Sequence, residues 1–255
     1  MKALKALLMQ LLGRRQYLQL TSRFFLLSFR QGWLKNDPAY RVHYFVRHLV
    51  QPGHTVLDIG ANLGYYATEF ARLAGPQGRV VAVEPIPLYR SVLSYHLRGL
   101  PQCSILPYAM GTAEGSISMG LPTTDQHRHG LMKVLTEEEK TKAPEIIEVP
   151  VKHPVDLFEP LGRIDYIKCD IEGYEVPVIP TMRPLLEKQQ PIVQVETDGD
   201  NKRILFDFFN ELGYQLFYVG AQGLVPYRSA QQSLFGDLIA IPPHRLQSVQ
   251  SFISK

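Results

Sequence analysis

The stretch Val56-Leu57-Asp58-Ile59-Gly60-Ala61-Asn62-Leu63-Gly64 decides the fold. Thr55 to Ile59 is a short apolar, β-branched run that reads as a buried strand, and Tyr65 to Ala74 has helical periodicity. Gly60 and Gly64 therefore lie in a tight strand-to-helix turn, where a residue without a Cβ tolerates a left-handed φ and lets the backbone approach a ligand. In open α/β sheets such a turn, at the carboxyl end of a strand, is a nucleotide site. The spacing is not the G-x-G-x-x-G that receives a pyrophosphate: the glycines are four apart and Asp58 precedes them. A carboxylate there disfavours phosphate and suits a positively charged ligand, such as a sulfonium nucleoside with an amino acid tail. Asp58, Gly60, Ala61, Asn62 and Gly64 are the expected cofactor residues, and Tyr65 and Tyr66 flank the same turn.

Outward from this turn the alternation continues. Arg79 to Val83 reads as strand, Leu88 to Leu97 as helix and Ser104 to Pro107 as strand, the rhythm of parallel crossover units. Glu84 ends the second strand, about 20 residues past the glycine turn, where an acid grips ribose hydroxyls. Ala109 and Met110 follow the third strand and are the expected neighbours of the nucleoside's base. Between Gly111 and Pro150 the rhythm breaks into an irregular insertion, with a short strand at Ser116 to Met119. We read this insertion as a lid over the substrate; its His127 and His129 are expected to be solvated, as is His153. Strands then recur at Ile146 to Val151, Asp165 to Cys169, Ile192 to Glu196, Gln215 to Val219 and Asp237 to Ile241, the last antiparallel. The expectation is a doubly wound, Rossmann-like α/β sheet over residues 51–255, preceded by a helical extension over 1–50.

A second constellation, Lys168-Cys169-Asp170-Ile171-Glu172-Gly173-Tyr174-Glu175, lies at the carboxyl end of the fourth core strand. Lys168 and Asp170 share a strand face, and Glu172 and Glu175, three apart, would share a helix face if a helix starts there. Glu196 ends the neighbouring strand and faces the same crevice. Lys168, Asp170, Glu172 and Glu196 are the candidate catalytic groups. Asp170 or Glu196 would serve as a general base, or Asp170, Glu172, Glu175 and Glu196 would hold Mg²⁺ or Ca²⁺, which hard carboxylate oxygens favour.

The motifs VLDIGANLGYYA, VAVEP (Val81 to Pro85), YIKCDIEGYE (Tyr166 to Glu175) and VQVE (Val193 to Glu196) together resemble the FkbM family of methyltransferases, in order from Val56 to Ile241. Family sequences often carry Thr-Leu-Asp before the fourth strand; here Lys152-His153-Pro154-Val155-Asp156 keeps only Asp156. The resemblance implies a class I methyltransferase sheet and S-adenosylmethionine as cofactor, with Pro85 beside Glu84 in its site. It further implies methyl transfer to a hydroxyl of a sugar, glycolipid or natural-product acceptor. The residues themselves leave open a nicotinamide-dependent oxidoreductase, against which the missing G-x-G-x-x-G counts, and a nucleotide-binding module without catalysis.

Composition bounds the rest. The chain has 255 residues, 45% hydrophobic and 20% charged, as in an ordinary globular protein. Cys103 and Cys169 sit in apolar runs and read as reduced, buried thiols, which fits the cytoplasm. The net charge of +3 is small, and nucleic-acid binding by the whole domain is not expected. Lys2, Lys5, Arg14, Arg15, Arg23, Arg30 and Lys35 all precede the first acid, Asp37. The leucines at 4, 7, 8, 11 and 12 recur at helical spacing, so the first helix, ending near Gly13, is a candidate for peripheral contact with a membrane. A second helix is expected from Tyr17 to Phe29, and Trp33 is read as a packing residue. No run approaches the ~18 consecutive apolar residues needed to span a bilayer.

Overall fold

The computed structural model describes residues 2–121, 132–197, 201–229 and 236–254. His127 and His129 lie outside the described residues. Twelve strands are found among them: β1 (Thr55–Ile59), β2 (Arg79–Val83), β3 (Cys103–Leu106), β4 (Ala109–Met110), β5 (Gly115–Gly120), β6 (Lys133–Val134), β7 (Ile146–Lys152), β8 (Tyr166–Cys169), β9 (Ile192–Val195), β10 (Gln215–Gly220), β11 (Gly223–Pro226) and β12 (Leu238–Ile241). Eight form one sheet in the order β11-β10-β12-β9-β8-β1-β2-β3. The five strands from β9 to β3 are parallel, and β12 runs antiparallel between β9 and β10. The doubly wound sheet with an antiparallel C-terminal strand is as expected. The chain leaves β1 toward β2 and β3, then returns to place β8 on the other side of β1. That reversal opens a crevice at the strands' carboxyl ends.

The central strands are Val- and Ile-rich because both faces are covered. Leu57, Ile59, Val81, Val83, Ile167 and Val193 meet Leu186, Leu205 and Phe209 on one face. The alternate residues Val56, Val80, Tyr166 and Ile192 meet Phe70, Ala71 and Val46 on the other. At the crevice end this second face turns polar, with Asp58, Lys168 and Gln194 in register on three adjacent strands.

Three expectations need correction. Residues 111–150 are not irregular throughout: β4, β7, β5 and β6 make a second sheet, with β7 central, antiparallel to β5 and parallel to β4. Its Met119, Val149 and Val151 pack with Tyr89 of the helix Pro87–Leu97 and with Ile86, the residue that caps that helix. Ser116 to Met119 and Ile146 to Val151 are legible as strands, but the two-residue strands β4 and β6 and the pairing of all four are not, because partners distant in sequence leave no local periodicity. Trp33 does not pack; it is exposed. Cys169 is buried but Cys103 only partly so, and both are free thiols.

The N-terminal segment Lys2–Arg30 is two helices joined at a kink at Gly13, where φ is 75° and ψ 157°, close to the break the sequence predicts. After the kink it buries Tyr17, Leu18, Ser22, Leu26 and Phe29. The Ser22 hydroxyl lies 2.8 Å from His96 Nε2, and Arg23 donates to the Tyr95 hydroxyl at 3.1 Å, fixing this half against the helix Pro87–Leu97. No described helix is long and apolar enough to cross a membrane.

The opposite ends of the strands are tied by Asp165, whose side chain is wholly buried. Its Oδ2 accepts the Thr55 amide at 2.9 Å, and its Oδ1 accepts from Arg163 and, at 2.9 Å, from Arg245 near the C-terminus. The last residues also join the sheet: Ser254 N donates to Leu224 O, and Leu224 bridges to Ile253 beside β11. Removing one partner of a buried ion pair costs on the order of 3 kcal/mol. Asp165→Ala is expected to lose about that much in urea unfolding; a loss below about 1 kcal/mol would contradict this role.

Candidate active site

The turn after β1 is shaped by backbone contact. At Gly60 φ is 81°, and a Cβ would lie 1.8 Å from the Asp170 carbonyl oxygen, so the loops after β1 and β8 touch where only glycine fits. The amides of Gly60 and Ala61 donate to Val83 O at 3.0 and 2.9 Å, binding the turn to the end of β2. Glu84 completes the clasp: Oε2 accepts the Asn62 amide and Oε1 the Ile86 amide, both at 2.8 Å. Burial pushes this carboxyl up to about 7, against the pull of the two amides. Each oxygen keeps a lone pair for a hydroxyl donor.

Beside it opens a cavity of about 480 Å³. Of the expected cofactor residues, Asp58, Gly60, Ala61, Asn62, Tyr65, Glu84, Pro85, Ala109 and Met110 line it, and so does the catalytic candidate Asp170. Gly64 does not; it caps the helix Tyr65–Ala74, where a Cβ would come 2.8 Å from Leu93 Cδ1. Asp58 lies at the base of the cavity, fully buried, with neither carboxylate oxygen hydrogen-bonded and Lys168 Nζ 3.9 Å away. Burial raises its pKa to about 6, with Lys168 opposing. A buried carboxylate lacking donors fits a cationic ligand, and the Glu84 oxygens fit a vicinal diol. S-adenosylmethionine carries both features, so these residues suit it.

Lys168 is buried beneath the crevice, 2.9 Å from Asp170 Oδ2 and 4.8 Å from the centre of the Tyr66 ring. Burial alone would lower the ammonium's pKa, yet Asp170 and Asp58 hold it above its ordinary range. Burial likewise works to raise Asp170, but Lys168 keeps that carboxyl below its usual value. Its neighbour Glu196 is pushed up to about 8, by burial first and then by Asp170, Glu172 and Glu175.

The second constellation is arranged differently from expectation. Glu172 and Glu175 do not share a helix face, because the chain turns through positive φ at Glu172 (56°) and Gly173 (91°) before the short helix Glu175–Val178. Glu175 folds inward, its Oε1 accepting the amides of Ile171 at 2.7 Å and Gly173 at 3.3 Å. Glu172 faces the cavity, with a pKa raised to about 7 by partial burial and the charges of Asp170 and Glu175. Carboxylate oxygens of Asp170, Glu175 and Glu196 lie within 4.8 Å of one another; Glu172 is not in this group, and Glu175 and Glu196 do not line the cavity.

Several wall residues carried no motif. Asp237, just before β12, lines the cavity and accepts a hydrogen bond from Gln194 Nε2, while the Tyr166 hydroxyl donates to Gln194 Oε1 at 2.6 Å. A polar residue inside the apolar runs IVQVE and DLIAI was the only signal available. Phe25, Tyr40 and His43 come from the N-terminal segment, with His43 stacked on Tyr66 at 4.1 Å, and Ile117, Met119 and Val134 come from the second sheet.

The profile of the family described as Methyltransferase FkbM domain matches residues 58–216. Among solved structures, the methyltransferase FkbM of Methylobacillus flagellatus is 14% identical, with a TM-score of 0.45 over 78% of this chain and 50% of that one. A SAM-dependent O-methyltransferase of Thermotoga maritima is 13% identical, with a TM-score of 0.44 over 80% of this chain and 65% of that one. Protein-L-isoaspartate O-methyltransferase of Methanopyrus kandleri is 54% identical over 37 residues, which cover 14% of this chain and 16% of that protein. The chain thus spans less than two thirds of the length of each of these three relatives.

The carboxyls of Asp58, Glu84, Glu172 and Glu196, raised to about 6, 7, 7 and 8, hold protons more tightly folded than unfolded. Their contribution is full below the ordinary carboxylate range near 4 and is lost as pH rises through the folded values. His43, lowered to about 4 by burial, acts oppositely and only below its unfolded value of 6.5. The Tm of the ligand-free protein should therefore fall between about pH 6.5 and 8, with Glu196→Gln flattening the upper part of that fall. A Tm that rises across this window would refute the assignment.

Proposed function

The chain belongs to the FkbM family of methyltransferase domains, and from that premise we propose that it transfers a methyl group from S-adenosylmethionine to a hydroxyl oxygen of a sugar, glycolipid or natural-product acceptor. The observation that carries this reading is the Asp58 carboxylate, buried at the cavity wall without a hydrogen-bond donor. When bound, the cofactor supplies an electrophilic methyl group. Asp58 would hold its cationic amino acid end, and Glu84 its ribose hydroxyls, on a turn that backbone hydrogen bonds have already fixed. Ala109 and Met110 border the space left for its base.

A hydroxyl is a poor nucleophile until its proton is removed. Asp170 is a weak base because Lys168 neutralises it, and Glu196 lies outside the cavity. Glu172 has both the position and a pKa near neutrality, which favours general-base work. Its positive φ is the kind of backbone strain that clusters at functional sites. We therefore assign Glu172 as the base that takes the acceptor's proton at a carboxylate oxygen. Lys168 is a positioning residue: it fixes Asp170, whose carbonyl packs against Gly60. This route needs no divalent cation.

Calorimetry on the intact chain should show binding of S-adenosylmethionine and S-adenosylhomocysteine and none of NAD, with Glu84→Ala weakening both by roughly 100-fold as two charge-assisted hydrogen bonds are lost. No heat from either sulfur ligand would overturn the reading.

Glu172→Gln should lower kcat by about 10² to 10⁴ on a hydroxyl acceptor without changing cofactor affinity. Exhaustive chelation should leave turnover unchanged. Retained kcat in the variant, or loss on chelation, would remove the base assignment.

A further inference from the structure

The helical segment Lys2–Arg30 is apolar on two opposite faces. Its inner face is used by Leu18, Ser22, Leu26 and Phe29, all buried. On the outer face Leu20, Phe24 and Leu27, spaced as neighbours on one helical stripe, are 52%, 64% and 49% exposed, and Trp33 just beyond is 65% exposed. A surface helix normally turns a polar face to water, so this ridge is shaped for a covering.

Charge selects what covers it. Arg23 and Arg30 are exposed and border the ridge on the helical wheel, and residues 1–36 contain seven lysines and arginines and no acid. A second copy packed symmetrically on this face would set those arginines against their own equivalents. An anionic bilayer instead takes the leucines and phenylalanine into its acyl boundary and the arginines at its headgroups. We propose that the ridge Leu20, Phe24, Leu27 and Trp33 docks the protein on an anionic lipid surface. Phe25, next to Phe24 in sequence, turns to the opposite side of the helix, where it meets His43 and Tyr65 and lines the cavity, so the ridge and the cavity lie on opposite sides of this helix. The docking surface stands independently of the methyl-transfer reading.

The test uses the full chain with vesicles of phosphatidylcholine alone or mixed with phosphatidylglycerol. Trp33 is the only tryptophan and reports on its own environment. Co-sedimentation with the anionic vesicles should be at least about tenfold stronger than with neutral ones, weaken with added salt, and shift Trp33 emission to the blue. Leu20→Glu, Phe24→Glu and Leu27→Glu together should lower binding by at least about tenfold while leaving the unfolding temperature and S-adenosylhomocysteine binding unchanged. The proposal fails if wild type ignores anionic vesicles or if the triple variant binds them equally well. It also fails if wild type binds RNA but not vesicles, or if light scattering shows a dimer that the triple variant dissociates. Loss of S-adenosylhomocysteine binding by wild type would strike the methyl-transfer reading alone.

Discussion

One buried ammonium organises the cavity floor. Lys168 lies between two carboxylates, Asp58 on the adjacent strand β1 and Asp170 at the end of its own strand, and under the ring of Tyr66. Without it, Asp58 and Asp170 would be uncompensated charges in a low-dielectric crevice, and at least one would have to be protonated. With it, Asp170 stays ionised while Asp58 keeps both oxygens free of hydrogen bonds. The pairing depends on β-sheet register: a one-residue slip of β8 against β1 would turn Lys168 to the opposite face. The hydrophobic alternation that fixes the register therefore also fixes the electrostatics.

The remaining acids then differ by environment, not by type. Glu175 spends its carboxylate on the backbone of the loop after β8 and keeps that loop bent. Glu196 is pushed up to about 8 by burial first and then by Asp170 and Glu172. Glu84 is bound to two amides and remains open to hydroxyls. Four glutamates near one crevice thus divide into a loop staple, a neighbour whose pKa is raised, a clasp and a group poised near neutrality.

What the sequence reveals follows the range of the forces involved. The strand at Val56 to Ile59, its glycine turn and Glu84 are legible because strand burial, φ at Gly60 and the spacing to the next strand end are all local. Strands β5 and β7 are legible in the sequence, but their assembly into a sheet with β4 and β6 is hidden because it comes from pairing between residues some thirty positions apart, such as Ser118 with Glu148. The cavity's aromatic wall is hidden for the same reason: nothing near Phe25 or His43 in sequence announces that the segment Lys2–Arg30 folds back over the turn. The three-residue spacing of Glu172 and Glu175 predicts a shared helix face, which gives way because Glu172 and Gly173 adopt positive φ and the helix begins only at Glu175.

The joining of the last residues to β11 governs how the sheet ends. A strand with one side unpaired is a template for another chain, and long sheets manage such borders by covering or shortening them. Here Ile253 and Ser254 pair with Leu224, and at the other border β3 is only four residues long and is followed by Pro107. Both borders are blunted, one by a covering segment and the other by its shortness, which leaves little free strand for a second chain to pair with.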